Sequence, residues 1–321
     1  MVPVAGRVLV RSFPTAHKTT VLLDNSSVIL FLTEKGDNMF TVQAAGFSDI
    51  GRVRKANEDS FLLNESIGLY VVADGMGGHR GGAVASRIAV ETIGTYMATP
   101  SEKASGTGGT DPLDADSEAA QRLRHSIFLA NRKIYAQSVK DAACRGMGTT
   151  VSALHLAGNS IVTVNVGDSP IYLLRNDEIE TLYTPHTLLH ERKKIPKSLE
   201  GRFSRDKLSH ILTRGVGIRP DVRMDLVETP CFTGDIIVLC SDGLSGKVST
   251  EEIRDVVCQN DSQTACSILT ELANRRGGED NITVIVVRIT SEDGDSARQR
   301  FGRILGIPAW IGSLFGAKQH D

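Results

Sequence analysis

Val71-Val72-Ala73-Asp74-Gly75-Met76-Gly77-Gly78-His79 is the stretch on which the reading of this chain turns. The apolar run from Leu69 to Ala73 reads as a buried strand, and it stops at an acid followed by glycines. Asp74 therefore stands where a strand ends and its carboxylate can leave the core. Gly75, Gly77 and Gly78 let the backbone turn sharply and bring a carbonyl close to whatever the acid holds. Carboxylate, carbonyl and water oxygens together suit a hard divalent cation. Taken alone, the nonapeptide is equally compatible with a strand-end turn carrying a solvated acid.

The same arrangement recurs along the chain. Asn57-Glu58-Asp59 lies just before an apolar strand starting at Ser60, and Val164-Asn165-Val166-Gly167-Asp168 ends a strand in an acid. Ile236 to Ser241, the most apolar strand, runs into Asp242-Gly243, and Gly277-Gly278-Glu279-Asp280-Asn281 puts an acid at the start of the last strand. Each alone is an ordinary turn. If the sheets bring these ends together, the carboxylates repel one another unless cations neutralise them. Two or more Mg²⁺ or Mn²⁺ ions answer that need. Two metals sharing a carboxylate activate a bridging water and clamp the oxygens of an in-line displacement, which makes a phosphoester the expected substrate. Arg54, four residues before Glu58, is the candidate for its non-bridging oxygens, with Arg52 the second choice.

Outward from these acids, strands are expected at 42–48, 59–64 and 68–73, with a hairpin turn from Asn64 to Ile67. Helices are expected over 81–98, with Ala85, Ile88, Ala89, Ile93 and Tyr96 inward, and over 117–140, with Leu123, Ile127, Ala130 and Ile134 inward. Between them, 99–116 reads as a flexible loop. Strands follow at 149–157, 160–167, 170–175, 178–183, 222–228 and 235–241. Ser249-x-x-Glu252 is a capping box, with Val248 and Ile253 as a staple, so a helix starts there. Another helix spans 262–275, and 281–289 is a final strand. Short links favour antiparallel pairing, and two helices in each half could cover the outer faces of two packed sheets.

Composition excludes several classes. Of 321 residues, 40% are apolar and 23% charged, as in an ordinary globular chain. A net charge of −2 gives no general pull toward nucleic acid or a membrane surface. The five cysteines form no C-x-x-C pair, so they read as reduced thiols and the protein as cytoplasmic. No apolar run is long enough for a membrane span. The residue six beyond Cys240 is Gly246, so a Cys-x5-Arg phosphatase is excluded, and neither a D-x-D-x-T nor a P-loop occurs.

Seven segments, in order, carry a resemblance over about residues 42–290: Gly51 to Asp59, Ala73-Asp74-Gly75-Met76-Gly77-Gly78, Gly146-Met147-Gly148-Thr149-Thr150, Val166-Gly167-Asp168-Ser169, Leu212-Thr213-Arg214, Cys240-Ser241-Asp242-Gly243-Leu244, and Glu279 to Thr283. The chain resembles the metal-dependent serine/threonine protein phosphatases of the protein phosphatase 2C type, most closely their bacterial branch. The resemblance implies an α+β fold, a four-layer α-β-β-α sandwich of two antiparallel sheets flanked by helices. It implies Mn²⁺ or Mg²⁺, two or three per chain: Asp74 bridging, Gly75 through its carbonyl, Asp242 and Asp280 on the second metal, Glu58 and Asp59 through water. It also implies a third-metal role for Asp168, phosphate binding by Arg54, and a flap over 184–214. Phosphorylated proteins, targets of a Ser/Thr kinase, are the implied partners, and nothing demands more than a monomer.

Three positions depart from the family pattern. Met76 stands where many eukaryotic members carry a His, which leaves leaving-group protonation to metal-bound water. Pro170 replaces the usual Arg after Gly-Asp-Ser, and Pro185-His186-Thr187 replaces Asp-His-Ser at the entrance to the flap. The alternative function is a catalytically impaired member acting as a binding or scaffold module. Outside the resemblance lie residues 1–38, an extension of unknown role. So does the tail 291–321, whose Arg298, Arg300 and Arg303 alternate with apolar residues, either to pack on the domain or to touch a membrane surface or partner.

Overall fold

Period-two alternation along the central strands decides the architecture. The computed structural model describes residues 40–77, 81–100, 116–191, 208–209 and 211–290. The extension 1–38, the tail 291–321, most of the loop 99–116 and the middle of the 184–214 segment lie outside the described residues.

The chain forms β1 (Thr41–Asp49), β2 (Ser60–Asn64), β3 (Leu69–Ala73) and a two-residue β4 (Gly75–Met76), then helices α1 (Gly81–Ala98) and α2 (Glu118–Lys140). Next come β5 (Gly148–Thr149), β6 (Val151–Ala157), β7 (Ser160–Val166), β8 (Ile171–Arg175), β9 (Glu178–Thr181), β10 (Asp225–Pro230) and β11 (Ile236–Cys240). A one-turn helix α3 (Asp242–Ser245), helices α4 (Thr250–Gln259) and α5 (Ser262–Arg275), and β12 (Ile282–Thr290) complete it. One sheet runs β1-β12-β11-β8-β9 and the other β10-β7-β6-β3-β2, with antiparallel pairing throughout.

Successive side chains of a strand point to opposite faces, and here both faces are apolar. In β3, Leu69, Val71 and Ala73 pack with α1 and α2, while Tyr70 and Val72 face the other sheet. In β11, Ile236, Val238 and Cys240 pack with α4 and α5, while Ile237 and Leu239 turn inward. Three apolar layers therefore separate four layers of structure, which is the expected sandwich. The helix stripes fall as read: Ala85, Ala89 and Ile93 of α1 and Leu123, Ile127, Ala130 and Ile134 of α2 are fully buried, and Ile88 and Tyr96 are packed at the edge.

Some boundaries move for physical reasons. The expected turn from Asn64 to Ile67 is a 3₁₀ turn over Glu65–Ile67, closed by Gly68 at φ 61°. The strand expected over 149–157 is two pieces, because Thr150 spends its backbone N–H on the Asp74 carbonyl at 2.8 Å rather than on a ladder. The strand expected at 222–228 is displaced to 225–230. Pro230 does not stop it, since β10 is an edge strand and can lack a donor.

The capping box forms: the Ser249 hydroxyl accepts from the Glu252 N–H at 3.3 Å, and the Glu252 carboxylate accepts from the Ser249 N–H at 3.0 Å. Hydrogen bonds from Arg276 hold the Glu252 carboxyl down to about 2, outweighing burial, with the Ser249 N–H adding to them. A depressed acid stabilises the fold above its unfolded pKa, and that contribution is lost as pH falls through the folded value. Glu252→Gln is thus expected to cost about 1 kcal/mol at pH 7 once partial exposure is allowed for. Thermal denaturation across pH should show the gap closing between the ordinary 4.5 and about 2.

Candidate active site

The acids converge because the sheets end together. In the β2–β3 ladder Ser60 pairs with Ala73, so Asp59 and Asp74 leave neighbouring strands at the same end. In the other sheet Cys240 pairs with Val284, so Asp242 and Asp280 leave β11 and β12 at one end. Thr283 joins the two sheets, its hydroxyl donating to Asp59 Oδ2 at 2.6 Å. Asp168 follows β7 beside Thr150, whose hydroxyl accepts from the Asp74 N–H at 3.0 Å and meets Ser169 Oγ at 2.8 Å.

Both Asp-Gly pairs are enforced by crowding. A Cβ on Gly75 would collide with the carbonyls of Gly82 and Glu58, and one on Gly243 with the carbonyl of Asn281. No side chain fits where these backbones pass, so the acid before each glycine is held against its neighbours.

The electrostatics of the cluster follow from this convergence. Burial raises the Asp74 carboxyl well above the usual range, and Asp59, Asp242, Asp280 and Asp168 raise it further. Asp59 is pushed up to about 7, by burial first and then by Asp242 and Asp280, against hydrogen bonds from Thr283 and Ser241 that lower it. Glu58 is raised by burial and by Asp280, while Arg54 draws it down. Arg54 Nη2 donates to Asp280 Oδ2 at 2.7 Å, the one hydrogen bond its side chain makes among the described residues. Arg54 is thus bound to an acid of the cluster, with its side chain half exposed.

The donor set suits a hard cation. Asp59 Oδ1 is buried with no hydrogen-bond partner, an orphan acceptor that a cation or its water would satisfy. All candidate donors are oxygens. Among the described residues no three His, Cys, Asp or Glu side chains form a ready cage.

Sequence reasoning missed the residue that aligns the loop bearing Arg54, Glu58 and Asp59. Asn281 is 4% exposed. Its Oδ1 accepts from the Glu58 N–H at 2.8 Å, and its Nδ2 donates to the carbonyls of Ile50 at 2.9 Å and Ala56 at 3.0 Å. The signal was an amide beside Asp280 at the start of a core strand, but its partners lie more than 200 positions away. In the sequence His186 stands out only as part of a departure from the family pattern. It is fully buried, between Gly167 and Asp225.

Comparison with known proteins agrees. The Protein phosphatase 2C family matches residues 52–279. Protein phosphatase PhpP of Streptococcus pneumoniae is 31% identical over 252 residues, covering 77% of this chain and 98% of that protein. Serine/threonine phosphatase stp of Listeria welshimeri is 34% identical over 244 residues, 75% of this chain and 93% of that one. The catalytic domain of the serine/threonine protein phosphatase PstP, crystallised with two manganese ions, superposes with a TM-score of 0.65 at 32% identity, covering 78% of this chain and all of that one. The chain belongs to the protein phosphatase 2C family, the metal-dependent protein serine/threonine phosphatases that its motifs resemble.

Proposed function

We propose that the protein removes phosphate from phosphoserine and phosphothreonine in proteins at the carboxylate cluster built on Asp74. One observation carries the reading: both sheets deliver acids, Asp59 and Asp74 from one, Asp242 and Asp280 from the other, to the same end of the sandwich. Asp74, the Gly75 carbonyl, Asp242 and Asp280 would hold two cations, Mn²⁺ or Mg²⁺, with Glu58 and Asp59 acting through water and Asp168 serving a third. When bound, the ions supply Lewis acidity and a water nucleophile at neutral pH. The relatives named as protein phosphatases, and the neighbour crystallised with manganese, support this assignment.

The chain's own residues position the phosphoester. Arg54 offers a guanidinium at the rim of the cluster, and release from Asp280 would turn its fork toward the phosphate oxygens. Arg54→Ala is expected to raise KM for a phosphothreonine peptide by about 10- to 100-fold, the loss of a charged hydrogen bond. Steady-state kinetics at saturating Mn²⁺ checks it.

A scaffold without activity is the weaker reading, because every expected acidic position carries its acid. Among the described residues no helix is long and apolar enough to cross a membrane. The test is turnover of p-nitrophenyl phosphate and of a phosphothreonine peptide. Turnover with Mn²⁺ or Mg²⁺ that EDTA abolishes supports the proposal, and none in any metal from folded protein contradicts it.

A further inference from the structure

We propose that His186, fixed as its Nε2–H tautomer by Asp225, is a positioning residue that sets the peptide preceding Asp168. The proposal rests on the reading above, in which Asp168 serves the metal site.

Both backbone polar groups of Gly167 are taken by one residue. The Gly167 N–H donates to His186 Nδ1 at 3.0 Å, and the Gly167 carbonyl accepts from the His186 N–H at 2.9 Å. A ring nitrogen that accepts an N–H carries its lone pair there, so the ring proton sits on Nε2. That nitrogen faces Asp225 Oδ2 at 2.9 Å, and Asp225 Oδ1 accepts from Arg214 at 2.6 Å. Arg214 donates in turn to Glu191 at 2.8 Å. Donor and acceptor are therefore assigned at every step from Arg214 to Gly167.

Anchoring of residues 186–188 against 211–213 does not require the imidazole. The Thr213 N–H already donates to the His186 carbonyl at 2.8 Å, and the Leu188 N–H to the Ile211 carbonyl at 2.9 Å. What the ring adds is directed at Gly167, which lies at φ 115° immediately before Asp168. On the other side of Asp168 the Ser169 carbonyl is fixed by Ser152 Oγ at 2.6 Å and Asn165 Nδ2 at 2.9 Å. Asp168 is thus held between two pinned residues, and His186 supplies the pin on its N-terminal side.

Asp225→Asn separates this role from simple packing. Arginine cannot accept a hydrogen bond, so the amide oxygen must face Arg214 and the NH₂ must face the ring. Nε2 then becomes the acceptor, and the proton moves to Nδ1, against the Gly167 N–H.

The experiment uses the full chain with Asp225→Asn, Asp168→Asn and the double variant. Ring ¹⁵N shifts are recorded in Mg²⁺, with the His186 signal assigned by its loss in His186→Asn, and kinetics are measured on a phosphothreonine peptide. Wild type should show Nε2–H and Asp225→Asn should show Nδ1–H. In Asp225→Asn kcat should fall by about 10- to 100-fold, the usual cost of losing such a support, with little change in KM, and no further loss should occur in the Asp168→Asn background. An Nδ1–H or doubly protonated ring in wild type overturns the proposal. So does an undiminished kcat in Asp225→Asn, or an equal loss when Asp168 is already gone, which would mark a general structural role. Wild type without metal-dependent turnover counts instead against the functional reading, and the tautomer is still read by NMR.

Discussion

Replacing Asp74 by Asn is expected to abolish turnover while making the metal-free protein more stable. Asp74 lies among Asp59, Asp168, Asp242 and Asp280, each of which raises the free energy of its charged form. An amide of the same shape removes that repulsion and keeps the backbone bonds to Thr149 and Thr150. It also removes the carboxylate proposed to be shared by two cations, so kcat/KM should fall by about 10³-fold or more. The metal-free thermal midpoint should rise by roughly 2–4 °C, corresponding to about 1 kcal/mol in a domain of this size. Calorimetric melting in EDTA, beside kinetics in Mn²⁺, gives both readouts. Misfolding cannot move them in opposite directions, and a lowered midpoint would show that the cluster is not under like-charge strain.

Asn281 should be the most sensitive position that no cation touches. Asn281→Ala leaves the Glu58 N–H and the Ile50 and Ala56 carbonyls without their shared partner. Each buried group left unsatisfied costs about 1–3 kcal/mol, so a loss of about 3 kcal/mol is expected after some rehydration. Asn281→Asp is worse, because a carboxylate oxygen replaces the NH₂ that faces two carbonyls, with an expected cost of about 3–5 kcal/mol. The loop carrying Arg54, Glu58 and Asp59 should then lose its register. A displacement of about 1 Å is worth roughly 10²-fold in rate. Chemical denaturation together with kcat measured well below the melting transition checks both effects. If stability falls and kcat does not, Asn281 supports the fold but not the site.

How much of this was legible beforehand follows from the range of the interactions. Helix α1 falls on its expected residues, and the capping box at Ser249 forms, because a helix stripe and a cap are written within a few positions. The acids at Asp59, Asp74, Asp168, Asp242 and Asp280 were also legible, since each interrupts an apolar run at its edge. The partners of Asn281 and the tautomer of His186 were not, because they join segments that only the finished sandwich brings together. The one-turn helix α3 starts at Asp242 itself, where an acid and a glycine read only as a turn. The edge position that lets β10 end in Pro230 likewise exists only once the sheet order is known.

The acid cluster either binds the cations that give turnover or has no catalytic role. The most direct measurement is calorimetric titration of EDTA-stripped protein with Mn²⁺, for wild type and Asp242→Asn, with phosphothreonine-peptide turnover followed on the same samples. At least two sites per chain are expected in wild type, with loss of at least one in Asp242→Asn, and turnover that appears as the sites fill and is lost in the variant. Folded wild type that binds no Mn²⁺, or an Asp242→Asn variant that binds and turns over as wild type does, would contradict this expectation.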